Sequence, residues 1–194
     1  LQNEARLTRS GWIVAGLRPQ CKRLMTNYRI AVCPGDGIGP EVIDQTLRVL
    51  EAIQEGSSGF DLNLTPFAWG ADYWAKTGQV VPHDFLDQLR PFDAILLGAL
   101  GDPARLPDHL SLEPLIRIRQ HFDQYACVRP ARLFPGVRSP LAGKGPSAID
   151  LVIVRENSEG EYVDSGGRFK MGQPEEVALQ IAIHTRQGIT RILR

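Results

Sequence analysis

The order of apolar and polar residues along the chain predicts strands that alternate with helices. A mostly apolar, β-prone run at residues 28–33 leads into a glycine-rich loop, and apolar residues then recur at helical spacing from residue 42 until Gly56. This order predicts a strand, a loop and a helix, because glycine and proline interrupt regular elements and three-and-four spacing places apolar side chains on one helix face. Residues 60–64 alternate apolar with polar, which predicts a half-buried strand.

The same reasoning predicts the elements of the remaining chain. Residues 82–89 and 111–122 have helical patterns, whereas residues 93–97 and 149–154 are short apolar runs that favour strands buried on both faces. From Pro174 onward the apolar spacing predicts one long amphipathic helix. Strands that alternate with helices predict an α/β fold with a parallel sheet.

Composition and charge narrow the class of protein. The 194 residues contain 22 Lys and Arg and 22 Asp and Glu, so the formal net charge is zero, and 43% are hydrophobic. These values are typical of a globular protein and argue against a nucleic-acid partner, which usually requires a basic excess. No apolar run approaches the roughly 20 residues that span a bilayer, so we expect no membrane association.

The three cysteines, Cys21, Cys33 and Cys127, show no spacing typical of a disulfide framework or a zinc site. We therefore expect a reducing, cytoplasmic location.

Residues 1–24 differ from the rest of the chain. They contain five basic residues and one acidic residue, they do not begin with Met, and Met25 stands just before the first strand. An Arg-rich, acid-poor leader is typical of an organellar transit peptide. The position of Met25 favours the other interpretation, that residues 1–24 are an extraneous or disordered leader.

The loop at residues 35–41 (GDGIGPE) is the first candidate for chemistry, because backbone N–H groups between a strand and a helix can contact an anion. Pro40 stands where the dinucleotide-binding pattern GxGxxG requires its third glycine, and no acidic residue closes a second strand at the expected distance. The sequence therefore argues against a Rossmann fold.

Three arginines are the second candidate: Arg119, Arg129 and Arg155. Arg155 ends an apolar strand, and ligand crevices open at the carboxyl ends of parallel strands. A guanidinium binds a carboxylate with two charge-assisted hydrogen bonds, so converging arginines predict a small di- or tricarboxylate ligand. Tyr162, which follows Arg155, could cap the edge of a core or donate a proton beside this cationic site.

Four motifs together resemble the β-decarboxylating dehydrogenases, the family of isocitrate, isopropylmalate, homoisocitrate, tartrate and D-malate dehydrogenases. They are GDGIGPEV at 35–42, GALGDP at 98–103, the ten-residue interval from Arg119 to Arg129, and IVRENSEGEY at 153–162. The resemblance covers residues 25–194 and is greatest to the tartrate and D-malate branch. The chain departs from that branch at Glu113 and Pro114, where an aromatic residue and a glycine are usual, and from the family at Cys127, where asparagine is usual.

The resemblance implies an isopropylmalate dehydrogenase-like α/β fold, not a Rossmann fold, present only as its N-terminal half. Residues 25–124 would form the first half of the larger domain and residues 125–194 the start of the smaller domain. The family's catalytic lysine, metal-binding aspartates and adenosine-binding loop would lie beyond Arg194. We therefore expect no metal ligand in this chain.

The resemblance also implies a function. A homodimer would oxidatively decarboxylate a 2-hydroxy dicarboxylate of the D-malate or tartrate type, with NAD and with Mg²⁺ or Mn²⁺. Arg119, Arg129 and Arg155 would bind the substrate, and Tyr162 would act as the catalytic proton donor. The cofactor would be contacted by Ile38, Gly98, Gly101, Asp102 and Pro103. Because the catalytic lysine, metal ligands and adenosine-binding loop would lie beyond Arg194, the isolated 194-residue chain is expected to be inactive. Two alternatives stay open: an isopropylmalate dehydrogenase, or a catalytically inert fragment that retains only carboxylate-binding residues.

Overall fold

The structure is a computed structural model that describes residues 26–56 and 59–194. The leader predicted at residues 1–24 lies outside the described residues. The elements, in chain order, are β1 (Thr26–Gly35), α1 (Gly39–Glu55), β2 (Phe60–Pro66), α2 (Ala71–Thr77), α3 (Phe85–Leu89), β3 (Ala94–Ala99), α4 (Asp108–His121), β4 (Ala126–Arg132), β5 (Asp150–Glu156), β6 (Gly166–Phe169), β7 (Val177–Gln180) and α5 (Arg186–Ile192). A single 3₁₀ turn, Pro146–Ala148, precedes β5. Within the described ranges, no helix is long and apolar enough to cross a membrane.

The first sheet has three parallel strands in the order β2-β1-β3. In the central strand, Ile30 pairs with Leu64 of β2 and with Ala94 of β3. As the central strand, β1 has a hydrogen-bonded neighbour on each side. An apolar run suits this position, and Ala31 and Val32 are buried. The predicted parallel α/β arrangement is confirmed for this part of the chain.

The core of this unit lies beside the parallel sheet. Phe85 and Leu89 of α3 pack with Ala31 and Cys33 of β1 and with Ile118 of α4. Burial raises the pKa of the Cys33 thiol to about 12, so this side chain packs as a neutral group at physiological pH. The packing fixes α4, and with it Arg119, against the sheet.

β4 and β5 form an antiparallel hairpin in which Cys127 lies opposite Arg155 and Arg129 opposite Ile153. The prediction that Arg155 ends a parallel strand is therefore wrong. An apolar run indicates burial but not direction, and direction depends on the connection. A parallel crossover usually needs a helix, whereas residues 133–149 contain only one 3₁₀ turn.

The long helix predicted from Pro174 is also wrong. β7 (Val177–Gln180) pairs antiparallel with β6, and α5 begins only at Arg186. Val177 and Ile181 fit helical spacing, but with Leu179 they fit the two-residue period of a strand equally well. Thr185 starts the shorter helix because its hydroxyl oxygen accepts a hydrogen bond from the backbone N–H of Gly188.

The domain division expected between residues 124 and 125 stays a prediction.

Candidate active site

The structure brings Arg119, Arg155 and Tyr162 together. Arg155, near the end of β5, donates a hydrogen bond from Nη2 to the hydroxyl oxygen of Tyr162. The guanidinium carbon of Arg155 lies 5.0 Å from the centroid of the Tyr162 ring, and that of Arg119, on α4, lies 6.0 Å from it. Two cations from different elements therefore flank one phenol, in a geometry suited to cation–π attraction.

The backbone around Tyr162 is fixed from two directions. Gln120, the neighbour of Arg119 on α4, donates a hydrogen bond from its side-chain amide to the carbonyl oxygen of Tyr162 at 2.9 Å. Gly160 and Ile183 exchange two backbone hydrogen bonds, of 2.8 and 3.2 Å. These contacts hold the loop after β5 against α4, so the Tyr162 ring stays within reach of both arginines.

Arg129 faces the same side of the hairpin as Arg155. It lies two residues from Cys127 on β4, and Cys127 is directly opposite Arg155 in the ladder, so all three side chains share one face. The Nε–H of Arg129 donates to the sulfur of Cys127 at 3.2 Å. Arg129 thus shares one face of the hairpin with Arg155, which contacts Tyr162.

None of the three guanidiniums forms an ion pair with a carboxylate of the described residues. Arg117 forms an ion pair with Glu113 at 3.3 Å and Arg132 forms one with Asp150 at 3.8 Å, but within residues 26–56 and 59–194 no carboxylate forms an ion pair with Arg119, Arg129 or Arg155. The hydrogen bond to Tyr162 raises the pKa of the Arg155 guanidinium, burial offsets part of that effect, and the charge of Glu161 adds a smaller rise. The cluster is therefore a cationic surface that an added anion can contact directly.

An open groove of about 1120 Å³ lies beside Tyr162, between α4 and the β6–β7 hairpin. Its walls include Glu113, Arg117 and Gln120 from α4 and Arg168 from β6. The groove can accommodate the substituent of a ligand whose carboxylates bind the arginines. Its α4 wall carries the Glu113–Arg117 ion pair described above together with the apolar residues Leu110 and Ile116.

The carboxylates in the loop after β5 have structural partners. Burial raises the pKa of Glu156, but hydrogen bonds from the Ser158 hydroxyl at 2.6 Å and from the Glu159 N–H at 2.8 Å outweigh it, so the net pKa is lowered. Glu159 accepts hydrogen bonds from the hydroxyl and the N–H of Thr185, at 2.6 and 2.8 Å, and these lower its pKa. Both side chains are thereby committed to fixing the loop.

The residues predicted to contact a cofactor lie at one edge of the parallel sheet. Ile38 is 67% exposed at the start of α1 and follows the loop after β1, while Gly98 belongs to β3. Gly101, Asp102 and Pro103 form the loop after β3. Because β1 and β3 are parallel neighbours, the two loops leave the sheet at the same edge, where ligand crevices open.

These two loops are in direct contact. The N–H of Asp36 donates to the carbonyl oxygen of Ala99 at 2.7 Å, and a Cβ added at Gly37 would lie 3.0 Å from the carbonyl oxygen of Gly101. A cavity of about 270 Å³ adjoins them, and Asp102 is part of its wall.

Asp36 within the GDG motif has a role that the sequence did not reveal. It is only 4% exposed and its Oδ1 accepts a hydrogen bond from the N–H of Ala71, the first residue of α2. A Cβ added at Gly70 would overlap that oxygen. Asp36 therefore connects the β1 loop to α2, a contact between residues 35 positions apart that no local pattern indicates.

Arg191 of α5 is a second residue that the sequence did not reveal. Its guanidinium donates to the Asp123 carboxylate at 2.8 and 3.0 Å and to the Ser158 hydroxyl at 2.9 Å, and it stacks 4.3 Å from the Tyr125 ring. It thereby connects α5 both to the segment between α4 and β4 and to the loop before Tyr162. Asp123 lies 68 positions away in the sequence, so spacing carries no signal of this contact.

No group of three or more His, Cys, Asp or Glu side chains that could hold a metal ion occurs within residues 26–56 and 59–194.

Comparison with known proteins identifies the class. A family model described as isocitrate/isopropylmalate dehydrogenase matches residues 29–194, and the chain belongs to that family. The chain is 53% identical over 171 residues to a "probable tartrate dehydrogenase/decarboxylase" of Agrobacterium vitis, covering 88% of this chain and 48% of the relative. It is 49% identical over 173 residues to the decarboxylating D-malate dehydrogenase of Escherichia coli K12, again covering 88% and 48%.

A solved structure supports the same class. The isocitrate dehydrogenase of Methylococcus capsulatus superposes with a TM-score of 0.62 at 31% sequence identity, covering 86% of this chain and 45% of that structure. The resemblance to the β-decarboxylating dehydrogenases and the predicted fold class are confirmed. The chain spans about half the length of the curated relatives it matches.

Proposed function

We propose that the protein carries out NAD-dependent and divalent-metal-dependent oxidative decarboxylation of a 2-hydroxy dicarboxylate of the D-malate or tartrate type. The observation that carries the proposal is the convergence of Arg119 and Arg155 on Tyr162, with neither arginine in an ion pair with a carboxylate in the described ranges. Membership of a dehydrogenase family and the names of the relatives support the reaction type.

The arginines would bind and orient the substrate. Each hydrogen bond between a guanidinium and a carboxylate contributes about 1.5 to 3 kcal/mol, so two or three such contacts suffice to fix a small dianion. Arg129 and Arg155 would approach it from the hairpin, and Arg119 from α4. Bound in this way, the carbon that carries the hydroxyl is held in one orientation for hydride transfer.

Tyr162 would supply the proton that replaces the lost carboxylate. Arg155 donates to the phenolic oxygen, so the hydroxyl proton points away from Arg155 and is available to another acceptor. After loss of CO₂ that acceptor would be the carbanionic carbon of the bound product. General acid catalysis of this kind accelerates a reaction about 10²- to 10⁴-fold.

The proposed reaction also requires two cofactors, NAD and a divalent metal ion. NAD would supply the hydride acceptor. Ile38, Gly98 and the loop that contains Gly101, Asp102 and Pro103 would contact it, and of these residues Asp102 lies in the wall of the cavity beside the two loops. Mg²⁺ or Mn²⁺ would polarise the oxygen on the hydroxyl-bearing carbon. We assign no metal ligand to this chain. A cytoplasmic location and a homodimer, both expected from the sequence, belong to the same proposal.

The isopropylmalate alternative stays open, because the groove beside Tyr162 has both charged and apolar walls. The Glu113–Arg117 ion pair lines it together with Leu110 and Ile116 of α4. The D-malate or tartrate type is the preferred candidate because the relatives that carry those names are 49% and 53% identical to this chain, against 45% for a 3-isopropylmalate dehydrogenase of Thermobifida fusca.

Two measurements test the proposal. The protein is incubated with NAD and Mn²⁺, and NADH absorbance is followed after adding D-malate, tartrate or isopropylmalate; binding of each acid is measured separately by calorimetry. NADH formation from D-malate or tartrate supports the proposal, and preference for isopropylmalate supports the first alternative. Binding without turnover supports the inert, carboxylate-binding alternative. Absence of both binding and turnover refutes the proposal.

A further inference from the structure

The hairpin face that carries Arg129 and Arg155 also carries the thiol of Cys127. Cys127 precedes Arg129 by two residues on β4 and lies opposite Arg155 in the ladder, and its side chain is half-buried. The Nε–H of Arg129 donates to its sulfur at 3.2 Å. We propose that Cys127 is a positioning residue that holds the Arg129 guanidinium in the orientation needed for carboxylate binding. This inference rests on the proposed function.

The hydrogen bond restricts how Arg129 can bind an anion. A guanidinium grips a carboxylate either through its two terminal nitrogens or through Nε and one terminal nitrogen. The contact with Cys127 occupies Nε, so only the end-on arrangement through both terminal nitrogens remains. It also fixes the plane of the guanidinium, which lowers the conformational entropy that Arg129 loses when a ligand binds.

The sulfur also shares one hairpin face with two cations, Arg129 and Arg155. Like charges on one face repel each other, so each guanidinium is more stable with an acceptor of its own. Cys127 supplies that acceptor to Arg129, as the Tyr162 hydroxyl does to Arg155. A side chain without an acceptor at this position would leave the Arg129 guanidinium free to rotate away from Arg155.

Two substitutions at Cys127 test whether the hydrogen-bond acceptor at this position, rather than the thiol itself, is what Arg129 needs. Cys127→Ala removes the acceptor, whereas Cys127→Asn supplies a carbonyl oxygen to the same Nε–H. Calorimetry should show D-malate binding weakened about three- to tenfold by Cys127→Ala, as expected for one lost hydrogen bond, and restored to within about twofold by Cys127→Asn. Val128→Ala, on the opposite face of the same strand, should leave binding unchanged, and its unfolding curve controls for damage to the hairpin.

A double-mutant cycle tests whether Cys127 acts through Arg129. Lysine has no Nε–H of this kind, so in an Arg129→Lys background the change Cys127→Ala should have no further effect on D-malate binding. An undiminished effect in that background would overturn the inference.

The exchange rate of the Arg129 Nε–H, measured by NMR without ligand, gives an independent readout. The proton should be protected in the wild type and in Cys127→Asn, and unprotected in Cys127→Ala. An unprotected proton in the wild type overturns the inference, whichever ligands the protein binds.

The binding outcomes distinguish this inference from the proposed function. If the wild type binds D-malate and Cys127→Ala binds it equally well, the inference fails while the proposed function stands. If the wild type binds no dicarboxylate, the proposed function itself fails, and the positioning role fails with it.

Discussion

Arg155 donates a hydrogen bond to the hydroxyl oxygen of Tyr162, and its guanidinium carbon lies 5.0 Å from the centre of the Tyr162 ring. A guanidinium has no acceptor, so the single hydroxyl proton of Tyr162 cannot return to Arg155 and must point to a different group. In the proposed reaction that group is the substrate. Under that proposal Arg155 would serve two purposes: it would bind a carboxylate and it would orient the proton donor.

We predict that Arg155→Lys weakens dicarboxylate binding about tenfold or more. An ammonium on a flexible stem cannot make the two parallel hydrogen bonds of a guanidinium, and it cannot hold the Tyr162 hydroxyl at the same time. Calorimetric titration with D-malate measures the change. Arg132→Lys is the matched control, because Arg132 lies on the opposite face of the same hairpin and pairs with Asp150. Equal losses in the two variants would contradict the assigned role.

We predict that Tyr162→Phe separates binding from chemistry. The ring that Arg119 and Arg155 flank is retained, so D-malate should bind within about threefold of the wild type, whereas NADH-coupled turnover should fall about 10²- to 10⁴-fold with the loss of the proton donor. Tyr125→Phe is the control, since Tyr125 contacts Arg191 through its ring. Full turnover in Tyr162→Phe would remove the phenol from the mechanism.

The elements whose signals are local were predictable from the sequence. The parallel neighbours β1 and β3 and the helices α1 and α4 follow from apolar periodicity and from the glycine loop. The direction of β5 was not predictable, because an apolar run looks alike in parallel and antiparallel pairs. Residues 177–181 were misassigned because their spacing satisfies both a helix and a strand.

The same distinction between local and long-range signals applies to the candidate site. Arg119, Arg155 and Tyr162 could be named from the sequence because they belong to recognisable motifs, and the structure brings them together. The contacts of Asp36 with Ala71 and of Arg191 with Asp123 could not be found, because they join residues 35 and 68 positions apart. Tertiary contacts of this kind leave no periodic trace in a single sequence.

We predict that Gly70→Ala destabilises the protein by more than about 2 kcal/mol. Gly70 has a φ of +112°, and a Cβ there would overlap the buried carboxylate of Asp36. Gly78→Ala is the matched control, since Gly78 has a φ of +74° but no atom within 4 Å of an added Cβ. Gly78 is in the left-handed helical region, where an alanine costs roughly 1 to 2 kcal/mol, whereas Gly70 has a ψ of −149°, in a region that essentially only glycine adopts. The difference between the variants therefore measures the contact with Asp36 together with the additional backbone strain at Gly70. Equal urea unfolding midpoints for Gly70→Ala and Gly78→Ala would contradict this prediction.

We predict that Glu159 makes stability depend on pH in the acid range. The hydrogen bonds from the Thr185 hydroxyl and N–H lower the pKa of Glu159 below its unfolded value, which is about 4.3. A carboxylate of this kind stabilises the folded state fully above the unfolded pKa, and the contribution is lost as the pH falls through the lower, folded pKa. The free energy of unfolding, measured with urea between pH 7 and pH 3, should therefore fall less steeply in Glu159→Gln than in the wild type. Glu51→Gln, on the exposed side of α1, controls for the loss of one negative charge. If wild type and Glu159→Gln had the same slope below pH 5, the anchoring of α5 by this carboxylate would be refuted.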